Sequence, residues 1–130
     1  MVSVTITTFG YGADVAPEHS DITLDIRRHV APTRQIPAAE LRTGLDPSIA
    51  STVLSAPGVS RIVDNMALLV IGILEDVADA HRGRLVRIAI GDLRGVHWAV
   101  AIGEEIARVL DANGVESEVT HREITIPSRS

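Results

Sequence analysis

Leu85-Val86-Arg87-Ile88-Ala89-Ile90-Gly91-Asp92-Leu93-Arg94-Gly95-Val96-His97-Trp98-Ala99-Val100 reads as a buried strand, a short glycine-bounded loop and the start of an amphipathic helix. A strand that feeds a helix through a short loop is the unit from which α/β domains are built. It leaves unpaired backbone N–H groups and a partial positive charge at the helix start, where an anion fits. Arg94, His97 and Trp98 occupy the positions that would meet a phosphate and the group attached to it.

Working outward, Val2, Val4 and Ile6 alternate with Ser3, Thr5 and Thr7, the period of a strand with one buried face, and Phe9-Gly10-Tyr11-Gly12 breaks that pattern into a loop. A second strand is expected from Asp21 to Arg27, with Ile22, Leu24 and Ile26 on one face and Thr23, Asp25 and Arg27 on the other. The stretch from His29 to Gly44 is irregular, with Pro32 and Pro37 inside it. Asp46-Pro47 supplies an N-cap and a proline at the first helical position, opening a short helix that runs to about Leu54 and is closed by Pro57-Gly58. A longer helix is predicted from Ser60 to His81, its apolar face made by Val59, Ile62, Val63, Met66, Leu69, Val70, Ile73, Leu74 and Val77, with His81-Arg82-Gly83 as its stop.

Arg84 to Ile90 reads as a central strand covered on both faces. A helix from Val96 to about Asp111 turns Ala99, Val100, Ile102, Gly103, Ile106, Ala107 and Leu110 inward, and Asn113-Gly114 ends it. A less buried strand follows from Val115 to about Thr125. The order β-β-α-α-β-α-β implies an α/β fold with a mostly parallel or mixed sheet flanked by helices. One domain is expected over residues 1–126, with 127–130 as a tail.

The chain has 130 residues, 45% hydrophobic, enough for a single domain with a real core. It has no cysteine, which excludes disulfides, thiolate metal sites and thiol nucleophiles. All 12 of its basic side chains are arginine, which excludes a Schiff-base lysine and the lysine of a P-loop. The net charge of −5 gives no long-range attraction to nucleic acid, so RNA would have to be met by a local arginine patch. The N-terminus lacks the basic-then-apolar pattern of a signal peptide, and the apolar run Met66 to Leu74 is too short to span a bilayer. A cytoplasmic location and no membrane partner are expected.

With those residues placed, the chain resembles the C-terminal domain of the RNase adapter protein RapZ family over roughly Ser3 to Glu123. Phe9-Gly10 with Tyr11-Gly12 resembles a shortened form of the family's Phe-Gly-x-x-x-Gly opening. Leu24-Asp25-Ile26-Arg27 is similar to its Phe-Asp-Val-Arg strand, and Thr43-Gly44-Leu45-Asp46 to its Thr-Gly-x-Asp turn. Gly91, Gly95, His97 and Val100 fit its Gly-Cys-Thr-Gly-Gly-x-His-Arg-Ser-Val loop, and His121-Arg122-Glu123 resembles its closing His-Arg-Asp. The resemblance implies a domain that binds an amino-sugar phosphate, contacts a small regulatory RNA and contributes to a homo-oligomer. It also implies a domain standing without the family's P-loop kinase-like half, so the ATP-binding function does not carry over.

The loop departs from that pattern. Asp92-Leu93-Arg94 stands where the family has Cys-Thr-Gly, and Trp98-Ala99 where it has Arg-Ser. A carboxylate beside a phosphate is repelled by about 4 kcal/mol at an effective dielectric near 20 unless a cation such as Arg94 neutralises it.

The reading that results is a non-enzymatic ligand-binding domain for a phosphorylated metabolite or nucleotide. Gly91, Asp92, Arg94, Gly95, His97 and Trp98 form its anion loop, and Asp25, Arg27, Thr43 and Gly44 line the same pocket. The Gly95–His97 amides take the anion, Arg94 and Arg27 pair with its charge, and Trp98 or Tyr11 stacks on a base or sugar. No catalytic residue, metal or cofactor is expected, since the loop offers no Ser, Thr or Cys and the five histidines show no metal spacing. The alternative is an RNA- or protein-binding adapter module that has lost the small-molecule site. Apolar residues near Trp98 are the expected oligomer surface.

Overall fold

The computed structural model describes residues 2–28, 42–77 and 85–125. Along them run β1 (Val4–Gly10), β2 (Ile22–Asp25), α1 (Pro47–Leu54), α2 (Val59–Val77), β3 (Val86–Asp92), α3 (Trp98–Ala112) and β4 (Ser117–His121), in the order the sequence predicts. The four strands form one sheet in the order β2-β3-β1-β4, and every neighbouring pair is parallel. The mixed alternative is thereby replaced by an all-parallel sheet.

Parallel neighbours need crossovers, and right-handed crossovers fix which face each connection uses. The steps β2 to β3 and β3 to β4 run the same way across the sheet and carry α1, α2 and α3 on one face. The step β1 to β2 runs the other way, through residues 11–21. Side-chain burial agrees: Val4 and Ile6 of β1 and Val86, Ile88 and Ile90 of β3 enter one core with Ile49, Val53, Val59, Val63, Val70, Ile102, Ile106 and Leu110 of the helices. Thr5, Thr7, Thr23 and Arg87, on the alternate positions, are half-buried or exposed.

Several boundaries move. β1 continues through Phe9 and Gly10, where the sequence suggested a loop, because the Phe9 ring packs across Gly91 of the adjacent strand; a Cβ on Gly91 would come within 2.5 Å of it. β3 runs on through Gly91 and Asp92 for the same reason, with Gly91 opposite Phe9 and Asp92 opposite Gly10. β2 and β4 are shorter than predicted because they are the sheet's edges and have a partner on one side only. α3 begins at Trp98, two residues later than expected, after a loop held by Asp92.

Asp46 caps α1 as predicted, its carboxylate accepting the Ser48 N–H at 2.9 Å, with Pro47 in the first turn. In α2 the buried stripe is Val59, Val63, Met66, Ala67 and Val70; Leu69, expected inside, sits on the stripe's shoulder and is 50% exposed. The side chain of Val77, the stop at His81-Arg82-Gly83, the start of the strand at Arg84, most of the His29–Gly44 loop and the tail lie outside the described residues. Among the described residues no single helix is long and apolar enough to cross a membrane.

Candidate functional site

Because all four strands are parallel, the segments after them gather at one edge of the sheet. The backbone ties them together: Tyr11 N–H donates to Asp92 O at 2.9 Å, Gly12 N–H to Leu93 O at 2.9 Å, Ile26 N–H to Gly91 O at 2.9 Å and Arg122 N–H to Thr8 O at 3.0 Å. The Glu123 carboxylate accepts the Gly10 N–H at 3.0 Å. Ligands of open parallel sheets bind outside the carboxyl ends of the strands, which is this edge.

The predicted site residues fall there in two groups. Asp92, Gly95, His97, Thr43 and Gly44 form the first. Gly95 turns the chain with φ +71°, a conformation that favours glycine, and brings its N–H onto the Asp92 carboxylate. The other carboxylate oxygen accepts the Ala99 N–H at 3.2 Å. Asp92 is buried, and burial pushes its carboxyl above the usual range while the Gly95 and Ala99 amides pull it back. The α3 start, where the sequence suggested a ligand anion, therefore already holds an anion of the chain's own. Gly44 N–H donates to Val96 O at 2.8 Å, and His97 Nε2 lies 2.8 Å from the Arg42 carbonyl, so the Thr43–Asp46 turn is docked on the loop. Arg94 is exposed at the loop's crest.

The second group is Asp25, Arg27 and Tyr11, around Gly91. Arg27 grips Asp25 through two bonds, Nη2 to Oδ2 at 2.6 Å and Nε to Oδ1 at 3.0 Å, and its guanidinium lies 3.6 Å from the centroid of the Tyr11 ring. Tyr11 meets Phe9 edge to face at 4.7 Å. The Arg27 hydrogen bonds hold the Asp25 carboxyl below its usual range, and Asp25 in turn raises Arg27. The Tyr11 hydroxyl is pushed up by burial and by Asp25.

Trp98 does not present an open ring at the edge: it is 7% exposed and packs within the helix-side core. Phe9 is fully buried. Of the chain's three aromatic residues, Tyr11 alone keeps partial exposure, and Arg27 covers one of its faces.

A third group was missed. His121 is buried between Thr8, whose Oγ1 lies 2.6 Å from Nδ1, and Glu104 of α3, whose Oε2 lies 3.0 Å from Nε2. A carboxylate only accepts, so Nε2 carries a proton towards Glu104, while Nδ1 meets the Thr8 hydroxyl, a group that can donate or accept. Arg122, next along, reaches Asp14 Oδ2 at 3.4 Å and the Val15 carbonyl at 3.2 Å. The signal was present in His121-Arg122-Glu123: three consecutive polar residues at a strand's end, which bond to β1, to α3 and to the segment after β1.

A parallel α/β sheet flanked by helices, with its loops tied at the carboxyl edge, defines the class of fold, and comparison with known proteins makes it particular. The family model described as the RapZ C-terminal domain matches residues 2–125, and the chain belongs to that family. It is 33% identical to a nucleotide-binding protein of Streptomyces coelicolor over 123 residues, 92% of this chain and 39% of the relative. It is 33% identical to a nucleotide-binding protein of a Nocardioides species over 126 residues, 95% of this chain and 40% of the relative. A nucleotide-binding protein of Frankia alni is likewise 33% identical, over 95% of this chain and 42% of its own. The chain spans about two fifths of the length of these curated relatives.

Proposed function

We propose that the chain binds a phosphorylated metabolite or nucleotide at the carboxyl edge of its sheet, without catalysing a reaction on it. The observation that carries this reading is Arg94: an exposed guanidinium on a loop anchored from below by Asp92, with no ion pair to any described carboxylate. A fixed backbone under a cation whose charge is not already spent suits phosphate, and relatives named nucleotide-binding proteins support the ligand class.

The contacts differ from those of a helix start. Asp92 satisfies the Gly95 and Ala99 amides, so the ligand's charge falls to Arg94 and to the exposed Arg28 after β2. Arg27, already held by Asp25, orients Tyr11 at the pocket's other side. His97 acts through the Arg42 carbonyl, positioning the Thr43–Gly44 turn. The hydroxyl of Thr8 is fully buried, out of reach of a ligand at the edge, which favours binding over turnover.

Calorimetric titration with inorganic phosphate, hexosamine phosphates and nucleoside phosphates tests this reading. A compound-specific affinity that falls about tenfold in Arg94→Ala and survives moderate salt supports it. No binding by any of the three classes contradicts it. RNA binding that weakens steeply with salt would transfer the reading to an adapter module.

A further inference from the structure

The two arginines that follow β2 stand in different states. Arg28 is exposed and makes no ion pair to a described carboxylate. Arg27 is held along one edge and on one face: its Nε and Nη2 bond the Asp25 carboxylate at 3.0 and 2.6 Å, and its guanidinium lies 3.6 Å from the centroid of the Tyr11 ring. Its charge is therefore met by Asp25, and its plane is fixed. The Tyr11 ring is fixed in turn, edge to face on Phe9 and against Gly91, where a Cβ would come within 2.6 Å of it. The Arg27 side chain is still 42% exposed, and no other described group bonds it or stacks on it, so the second face of the guanidinium opens outward.

A guanidinium already paired to a carboxylate adds little to the hold on a phosphate, but a fixed flat cation is a stacking surface. What stacks on it is decided by sign. The π face of a nucleobase is electron-rich and is drawn to a cation. The face of a sugar ring presents C–H bonds, whose hydrogens are the positive end, and gains nothing there. A bare tyrosine ring accepts either, so an arginine laid over Tyr11 turns a general platform into one that selects an aromatic ring. The shelf also stands beside the expected phosphate contacts. Tyr11 N–H and Gly12 N–H bond the carbonyls of Asp92 and Leu93, at the foot of the loop that carries Arg94, and Arg28 is next in the chain.

We propose that the outward face of Arg27, backed by Tyr11 and fixed by Asp25, is the stacking surface for the base of a nucleotide. This inference rests on the phosphate reading above and narrows its ligand from phosphorylated compounds at large to nucleotides. Adenine and guanine both stack there, since every base offers a π face.

Calorimetric titration with AMP, GMP, ribose 5-phosphate and a hexosamine phosphate tests this, together with NMR observation of the Arg27 Nε–H. AMP and GMP differ from ribose 5-phosphate by the base alone, and both bind about tenfold more tightly than it or the hexosamine phosphate. Saturation with either nucleotide moves the Arg27 Nε–H upfield, through the ring current of the base above it. Arg27→Lys keeps the positive charge and removes the plane, so the advantage of AMP over ribose 5-phosphate falls about tenfold. Ribose 5-phosphate or the hexosamine phosphate binding as tightly as the nucleotides overturns the shelf and leaves phosphate binding at the edge standing. So does an Arg27 Nε–H that stays in place at saturation, or a base advantage undiminished in Arg27→Lys. Binding by none of these compounds overturns both.

Discussion

Asp25 and Asp92 close adjacent strands at the same edge of the sheet, and they do opposite work. Asp25 is partly exposed and holds a guanidinium, which lowers its carboxyl. Asp92 is buried and holds backbone amides, and burial raises its carboxyl even so. A surface carboxylate that grips an arginine adds little stability but fixes the direction of a cation and of the ring beneath it. A buried carboxylate on amides organises a loop and helix start, and occupies the place of an external anion. One edge thus contains a structural anion site already filled by the chain, beside a surface on which Arg28 and Arg94 are exposed.

Breaking Asp92 has the largest expected effect. Asp92→Ala leaves the Gly95 and Ala99 amides without an acceptor, which destabilises the domain by about 1–3 kcal/mol. Thermal denaturation with and without added phosphate checks this: the variant melts lower than wild type, and phosphate raises its melting temperature more than it raises that of wild type. Equal response to phosphate would mean that the α3 start accepts no anion other than Asp92.

Next comes the buried His121 group, which lies at the same edge without belonging to either aspartate. Thr8→Val removes the hydroxyl that serves Nδ1 and leaves that nitrogen unpaired in the interior, for a loss of about 1–2 kcal/mol in denaturant unfolding. A change below about 0.5 kcal/mol would show that water replaces the hydroxyl.

The pH dependence separates the two aspartates by sign. Asp25 has a lowered carboxyl in the fold, so its contribution is present above the ordinary carboxylate value and is lost as pH falls through its depressed one. Asp92 has a raised carboxyl, so the fold takes up its proton first and gains stability as pH falls from that raised value to the ordinary one. The stability gap between wild type and Asp25→Asn therefore narrows in acid, while the gap between wild type and Asp92→Ala widens. Urea titrations across the carboxylate range read both, and gaps that move in the same direction would undo the contrast.

Arg94→Ala is expected to shift stability least, by less than about 0.5 kcal/mol, because the side chain is exposed and makes no ion pair to a described carboxylate.

The sequence carried the fold well because its signals are local. Alternation in Val4–Ile6 and Ile22–Ile26, the Asp46-Pro47 cap and the helical stripes of α2 and α3 each follow from neighbours a few residues away. What it hid depends on partners far along the chain. Phe9 reads as a loop aromatic until Gly91 is placed beside it, and Trp98 as a stacking platform until the core closes over it. The Asp92 carboxylate looked like an obstacle to an anion, although Gly95 lies only three residues on, because whether a side chain points into the helix start or away from it is a matter of backbone geometry. The Thr8–His121–Glu104 group joins β1, β4 and α3, with Thr8 and His121 113 residues apart, so His121-Arg122-Glu123 marked the place and not its partners.

The central claim is that the carboxyl edge, outside the Asp92 loop, receives a phosphorylated ligand. Amide chemical-shift mapping on the labelled chain, titrated with a nucleoside diphosphate and with a hexosamine phosphate, tests it most directly. The account predicts saturable shifts confined to residues 11–12, 26–28, 43–44, 93–97 and 122–124 with at least one of the two. Shifts centred on the outward face of α2, or none with either compound, would contradict it.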